Sequence, residues 1–129
     1  MNREMLLRVK AAILAEPSRF DMSEWVVLPH RDAEDEPITQ EEFTDCGTVC
    51  CIAGHVVALS GIEEIDFSDI SCMAASVLDL DRDASEDLFY TWNWPWKFKA
   101  DYLMAENAKA RARVAAERID RFLEEHEKA

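Results

Sequence analysis

The sequence predicts an all-α protein: a compact single domain, residues 1–129, of five or six helices around a central apolar helix at about 47–60. Three observations carry that expectation. Glycine occurs only at Gly47, Gly54 and Gly61, and runs that alternate apolar with polar residues are few, so the usual marks of a β fold are missing. Residues 47–60 are apolar almost all round, as in a helix covered by neighbours on most sides. Both ends of the chain carry apolar residues at helical spacing. With 129 residues, 49 % of them apolar, the chain buries enough surface to fold without a disulfide or a metal.

The elements follow in order. Met5, Leu6, Val9, Ala12 and Ile13 share one helix face; Asn2 suits the N-cap, and Pro17 ends the helix near Ala15. Residues 20–29, with Met22, Trp25, Val26, Val27 and Leu28, fit a short helix or an extended piece equally well. Residues 30–45 read as a loop, with Thr39 and Glu42 spaced for a capping box. Gly61 stands where a left-handed residue closes the central helix, and Gly54 inside it implies a close backbone approach. Residues 70–78 form a short helix with Asp66 or Ser68 as cap, and Asp83 with Glu86 cap another at 84–90. Pro95 interrupts an aromatic stretch, and a last helix covers about 98–125, its inward stripe being Met104, Ala108, Ala112, Ala115, Ile119, Phe122 and Leu123. Its alanines imply a close neighbour, in the same chain or in a second copy, so a homodimer stays open.

Charge is the clearest asymmetry. Residues 31–87 hold sixteen acids against Arg31 and Arg82, a net of −14, whereas the whole chain nets −13. Such a balance disfavours direct binding to nucleic acid or to an anionic membrane. The N-terminus alternates charged with apolar residues and lacks the apolar core of a signal peptide. The longest uncharged stretch, 46–62, is short for a membrane span. A cytoplasmic protein with reduced cysteines is therefore expected.

The most distinctive stretch is Cys46-Gly47-Thr48-Val49-Cys50-Cys51-Ile52-Ala53-Gly54. Its CGT-x-x-CIAG pattern resembles a group of small bacterial and phage proteins with no known activity, so the resemblance carries over no functional residue. Gln40, six residues before Cys46-Gly47, also resembles the nucleophile region of papain-like and bacteriocin-processing cysteine peptidases. That resemblance implies an oxyanion donor at Gln40 and a nucleophile at Cys46, placed at a helix N-terminus where a thiolate is favoured. It spans about fifteen residues and supplies no base: His55 lies nine residues on, about 13.5 Å along a helix and half a turn round. A metal site could draw on Cys51, His55 and Cys72, but a fourth ligand is not evident. Asp79, Asp81 and Asp83 start like a calcium loop, yet Ala84 and Tyr90 stand where Gly and Glu are required. The bland reading of the four cysteines is small buried hydrophobes, and of His55 a core histidine bonded to a backbone carbonyl.

Tyr90, Trp92, Trp94, Trp96 and Phe98 alternate with other residues, so an extended segment would show all five rings on one side. They serve either as core filling or as a partner-binding patch. The expectation is a non-enzymatic acidic interaction module without cofactor, a regulator or inhibitor of a basic protein partner. It would dock through Glu34, Asp35, Glu36, Glu63, Glu64, Trp92, Trp94 and Trp96. The alternatives are a thiol-dependent hydrolase on Cys46 and Gln40, and a small structural metal module.

Overall fold

The computed structural model describes residues 1–127. The molecule is mostly helical, 64 % helix against 7 % strand, so the predicted class holds at that level, with two small sheets added. In chain order the elements are α1 (Arg3–Ala15), β1 (Val26–Val27), β2 (Ile38–Thr39), α2 (Gln40–Thr44), β3 (Val49–Cys50), α3 (Ile52–Ser60), β4 (Glu64–Ile65), α4 (Ile70–Leu78), α5 (Arg82–Phe89), α6 (Trp96–Met104) and α7 (Ala108–Glu127). Single 3₁₀ turns occupy Pro17–Arg19, Phe67–Asp69 and Thr91–Asn93. Among the described residues no helix is long and apolar enough to cross a membrane.

Local chemistry accounts for most boundaries. The Asn2 side chain accepts from the Met5 N–H at 3.1 Å, and α1 ends two residues before Pro17. Thr39 and Glu42 make the reciprocal capping box of α2. Gly61 closes α3 at φ +77°. The central helix differs from the expectation at its start. It begins at Ile52, because Val49 and Cys50 pair antiparallel with Val27 and Val26. An apolar run without a polar face suits a buried strand as well as a buried helix, and here it is one and then the other.

Three further boundaries differ. Asp81, not Asp83, caps α5, accepting from the Ala84 N–H at 2.8 Å. Neither Asp66 nor Ser68 caps α4; Asp66 opens the 3₁₀ turn before it, and Asp69 holds the cap position without a side-chain bond. The expected last helix is two, broken at 105–107, where the Asn107 side chain accepts from the Ala110 N–H and starts α7. Met104 is consequently 80 % exposed and leaves the inward stripe. Ala108 is half-buried, the stripe from Ala112 to Leu123 is buried, and α7 packs along α1 and α6. Ala112 and Ala115 are thus spent inside the chain, and a second copy has no access to them.

The core forms where α3 meets α1 and α4. Ile52, Ala53, Val56 and Val57 are fully buried in it, each larger aliphatic side chain contributing roughly 1.5–3 kcal/mol of transfer free energy. Gly54 lets β1 come close: a Cβ there would stand 2.4 Å from the Trp25 carbonyl oxygen.

Candidate functional site

The cysteine-rich stretch is built into the scaffold residue by residue. The Thr48 hydroxyl is buried and donates to the Glu42 carbonyl at 2.6 Å, which ties the turn to α2. Gly47 lies against Pro29, where a Cβ would come within 2.9 Å of its ring. Cys50 is held on both sides, paired with Val26 and bridged to Phe20. Cys51 occupies the N-cap of α3, so the thiol at a helix N-terminus is Cys51 and not Cys46. Burial pushes the Cys51 thiol up to about 11, outweighing the pull of the Gly54 and Ala53 backbone amides toward thiolate.

The imidazole of the stretch is committed as well. His55 Nδ1 lies 2.9 Å from the Cys51 carbonyl and 3.3 Å from Cys50 Sγ. A carbonyl oxygen only accepts, so Nδ1 carries the hydrogen and offers no lone pair to the Cys50 thiol. Burial lowers the His55 pKa and raises that of Cys50, so the pair rests as neutral imidazole and neutral thiol. The small cavity beside them, about 110 Å³, is lined by Glu16, Arg19, Phe43, Cys50 and His55. The metal reading grouped His55 with Cys51 and Cys72. The contact with Cys50 arises because the chain turns from strand to helix between them.

The hydrolase and metal constellations do not assemble. Cys46 is exposed in the turn between α2 and β3, six residues before α3 begins. The Gln40 side-chain amide donates to the Ala58 carbonyl at 2.9 Å, at the far end of α3. Cys72 is exposed on α4 while Cys51 and His55 are buried, and among the described residues no group of three His, Cys, Asp or Glu side chains is placed to hold a metal. Asp79 closes α4 in the left-handed conformation and Asp81 caps α5, so the calcium-like run consists of two helix ends.

The acidic residues, by contrast, converge. β2 pairs antiparallel with β4, Ile38 opposite Ile65 and Thr39 opposite Glu64, and the Gln40 N–H donates to the Glu63 carbonyl at 2.9 Å. This pairing lays residues 34–37 beside 63–69. Glu34, Asp35, Glu36 and Asp66 line one concavity of about 350 Å³; Glu64, Asp66 and Asp69 line the next, about 500 Å³, and Pro37 belongs to both. No lysine or arginine lines either. Arg31 is turned inward: it makes a bidentate pair with Glu42 at 2.8 and 2.9 Å and donates to the Asp32, Glu36 and Pro37 carbonyls. It holds the acidic loop in shape, and its charge also acts on the Glu36 and Asp35 carboxylates.

The groove continues from there. A concavity of about 610 Å³ shares Cys72 and Ser76 with the acidic one and reaches Phe89 and Tyr90; Arg82 and Glu86, ion-paired at 3.1 Å, line it as well. Those two rings also line a pocket of about 180 Å³ with Trp25 and Trp92. The aromatic run does not show five rings on one side, because Thr91–Asn93 coils and Trp96 starts α6. Trp94 is 3 % exposed and donates from Nε1 to the Leu88 carbonyl at 2.9 Å, so it is core and unavailable to a partner. Trp92, 65 % exposed, and Trp96, 77 % exposed, face solvent. Of these two, Trp92 lines the groove. Trp25 belongs there too, and its lone place in residues 20–29 gave no sign of it.

The chain matches no family model, no curated protein and no solved structure, so its function is read from its own geometry.

Proposed function

We propose that this protein is a non-enzymatic acidic interaction module that captures a basic segment of a partner protein along the groove from Glu34 to Trp92. Such a partner carries a cationic surface of its own, as nucleic-acid-binding proteins do, and occupying that surface would regulate or inhibit it. One observation carries the reading: the β2–β4 pairing brings Glu34, Asp35, Glu36, Glu64, Asp66 and Asp69 around two contiguous concavities that no base lines. Glu63 flanks them from the same seam. Like charges so gathered raise the local potential, steer a cationic partner and speed its capture. The cysteine segment supplies rigidity, with the Cys50 and Cys51 thiols and the His55 imidazole buried and in contact with one another or with the backbone.

The test is calorimetric titration with a lysine heptapeptide at low and high salt. Binding at about 20 mM salt that weakens steeply by about 200 mM is expected, since the Debye length shrinks over that range. The quadruple variant Glu34→Gln, Asp35→Asn, Glu36→Gln, Glu64→Gln should keep the circular-dichroism spectrum and lose most of the affinity. No binding at low salt, or binding indifferent to those four changes, overturns the proposal.

A further inference from the structure

At the end of the groove farthest from the acidic loop stands a pocket built from rings. Trp25 and Tyr90 meet at 86° with centroids 5.6 Å apart, and Trp92 covers Tyr90 at 4.6 Å and 31°. Two walls are thus at right angles and a third ring lies over one of them. Two stretches supply this arrangement: the turn and bend before β1, and residues 90–92, where the end of α5 runs into the 3₁₀ turn. The segment before β1 is fastened from below, the Met22 N–H donating to Tyr102 Oη at 2.9 Å. The pocket is therefore formed in advance of any ligand. Its volume, about 180 Å³, suits one side-chain head group and not a large cofactor.

Its chemistry points to a flat cation. Ring faces are the negative end of the aromatic quadrupole, and a guanidinium can stack on one face while its edge meets another. No lysine or arginine lines the pocket. Cys51 is on its lining. Phe89 and Tyr90 join the pocket to the groove that runs back to the acidic loop. A basic chain lying along the carboxylates is led to these rings.

We infer that the Trp25–Tyr90–Trp92 pocket receives the guanidinium of one arginine side chain of the basic segment, and so selects arginine over lysine at that point. The inference rests on the acidic-groove reading and adds to it a position with its own specificity. Carboxylates supply affinity that any cation satisfies, whereas stacked rings discriminate a planar cation from a compact, strongly hydrated ammonium.

The experiment compares two heptapeptides of equal charge, seven lysines and the same chain with arginine at its centre, against the full protein. The arginine peptide should bind about fivefold more tightly. That advantage should vanish in Trp92→Ala, an exposed position whose loss spares the fold, and persist in Trp96→Ala, equally exposed but off the groove. In parallel, Nα-acetyl-arginine methylamide at millimolar concentration should shift the Trp25 and Trp92 indole N–H resonances and leave those of Trp94 and Trp96 in place. Equal affinity for the two peptides, or an advantage that survives Trp92→Ala, overturns the arginine pocket and leaves the acidic groove standing. If neither peptide binds yet the small probe shifts those two indoles, the groove fails and the pocket survives. If the probe also leaves them unmoved, both fall.

Discussion

Gly54→Ala is the most informative single change to the scaffold. An ideal Cβ at Gly54 would lie 2.4 Å from the Trp25 carbonyl oxygen and 2.4 Å from Cys50 Cβ. Heavy atoms in contact need about 3.5 Å, so a neighbour must retreat by roughly 1 Å. Neither is the loose end of a side chain. The Trp25 carbonyl precedes β1, which is paired with β3, and Cys50 is the residue where β1 and Phe20 both attach. Alanine gains about 1 kcal/mol of helix propensity, while overpacking of this kind costs about 1–3 kcal/mol and more where backbone must move. A net loss of about 2 kcal/mol is expected, which lowers the melting temperature of a chain this size by roughly 6–10 °C. Urea denaturation should show a lower midpoint at unchanged slope. Gly61→Ala serves as comparison: nothing stands within 4 Å of its Cβ, and the penalty is only that of φ +77°, about 1 kcal/mol. A Gly54→Ala protein as stable as its parent, or more stable than Gly61→Ala, would refute the close approach of β1 to α3.

Other changes test other parts. The Arg31 guanidinium, helped by the Thr39 backbone amide, holds the Glu42 carboxyl at about 2 instead of its ordinary 4.5, so the pair contributes fully above about pH 4.5 and its contribution fades as pH falls toward about 2. Glu42→Gln should cost about 1–2 kcal/mol at neutral pH and flatten stability across that acid window; an unchanged acid slope would count against the pair. Arg118 is 2 % exposed, with Nε and Nη1 unpartnered and only Nη2 donating, to the Asp87 carbonyl at 3.2 Å. Arg118→Met should therefore be neutral or stabilising by about 1–3 kcal/mol in urea melts, and a clear loss of stability would show that the guanidinium is compensated. Iodoacetamide should label Cys46 and Cys72 in the native protein and reach Cys50 and Cys51 only after unfolding; fast native labelling of Cys50, read by mass spectrometry, would reopen thiol chemistry.

Elements whose signal is local were legible in the sequence. The Asn2 cap, the Thr39–Glu42 box, Gly61 and the 70–78 helix each depend on neighbours within a turn or two, and all stand where the residues place them. Much of what failed was non-local. Val49 and Cys50 become a strand only because Val26 and Val27 lie alongside, and no pattern inside 47–60 encodes that partner. The helical periodicity of 98–125 hides a break at 105–107, since alanine-rich helix formers flank a single capping residue, Asn107. For the site, the surplus of acids was visible, but its assembly was not: Glu34 and Glu64 are thirty residues apart and reach adjoining concavities through two-residue strands too short to register as strands. Trp92 was identifiable as aromatic in a suspicious run, yet Trp94 beside it is core. One turn of 3₁₀ helix sends the two rings in opposite directions.

Charge and stability are divided between different parts of this molecule, and that division makes salt a two-sided probe. The buried contacts come from α1, α3, α4 and α7, whose packing is mostly apolar, with the Lys10–Asp120 pair at its edge. The repulsion comes from the β2–β4 seam, where carboxylates crowd and Arg31 is spent on Glu42 and three carbonyls. Added sodium chloride screens that repulsion and should raise the melting temperature of the free protein, while the same screening weakens capture of a cationic peptide. Both effects should saturate over the same range, near about 0.2 M, because one set of carboxylates causes them. The quadruple neutral variant should lose both together. If salt left the melting temperature of the parent unmoved while still weakening the complex, the acids would be acting singly, and the groove would not be the source of the field.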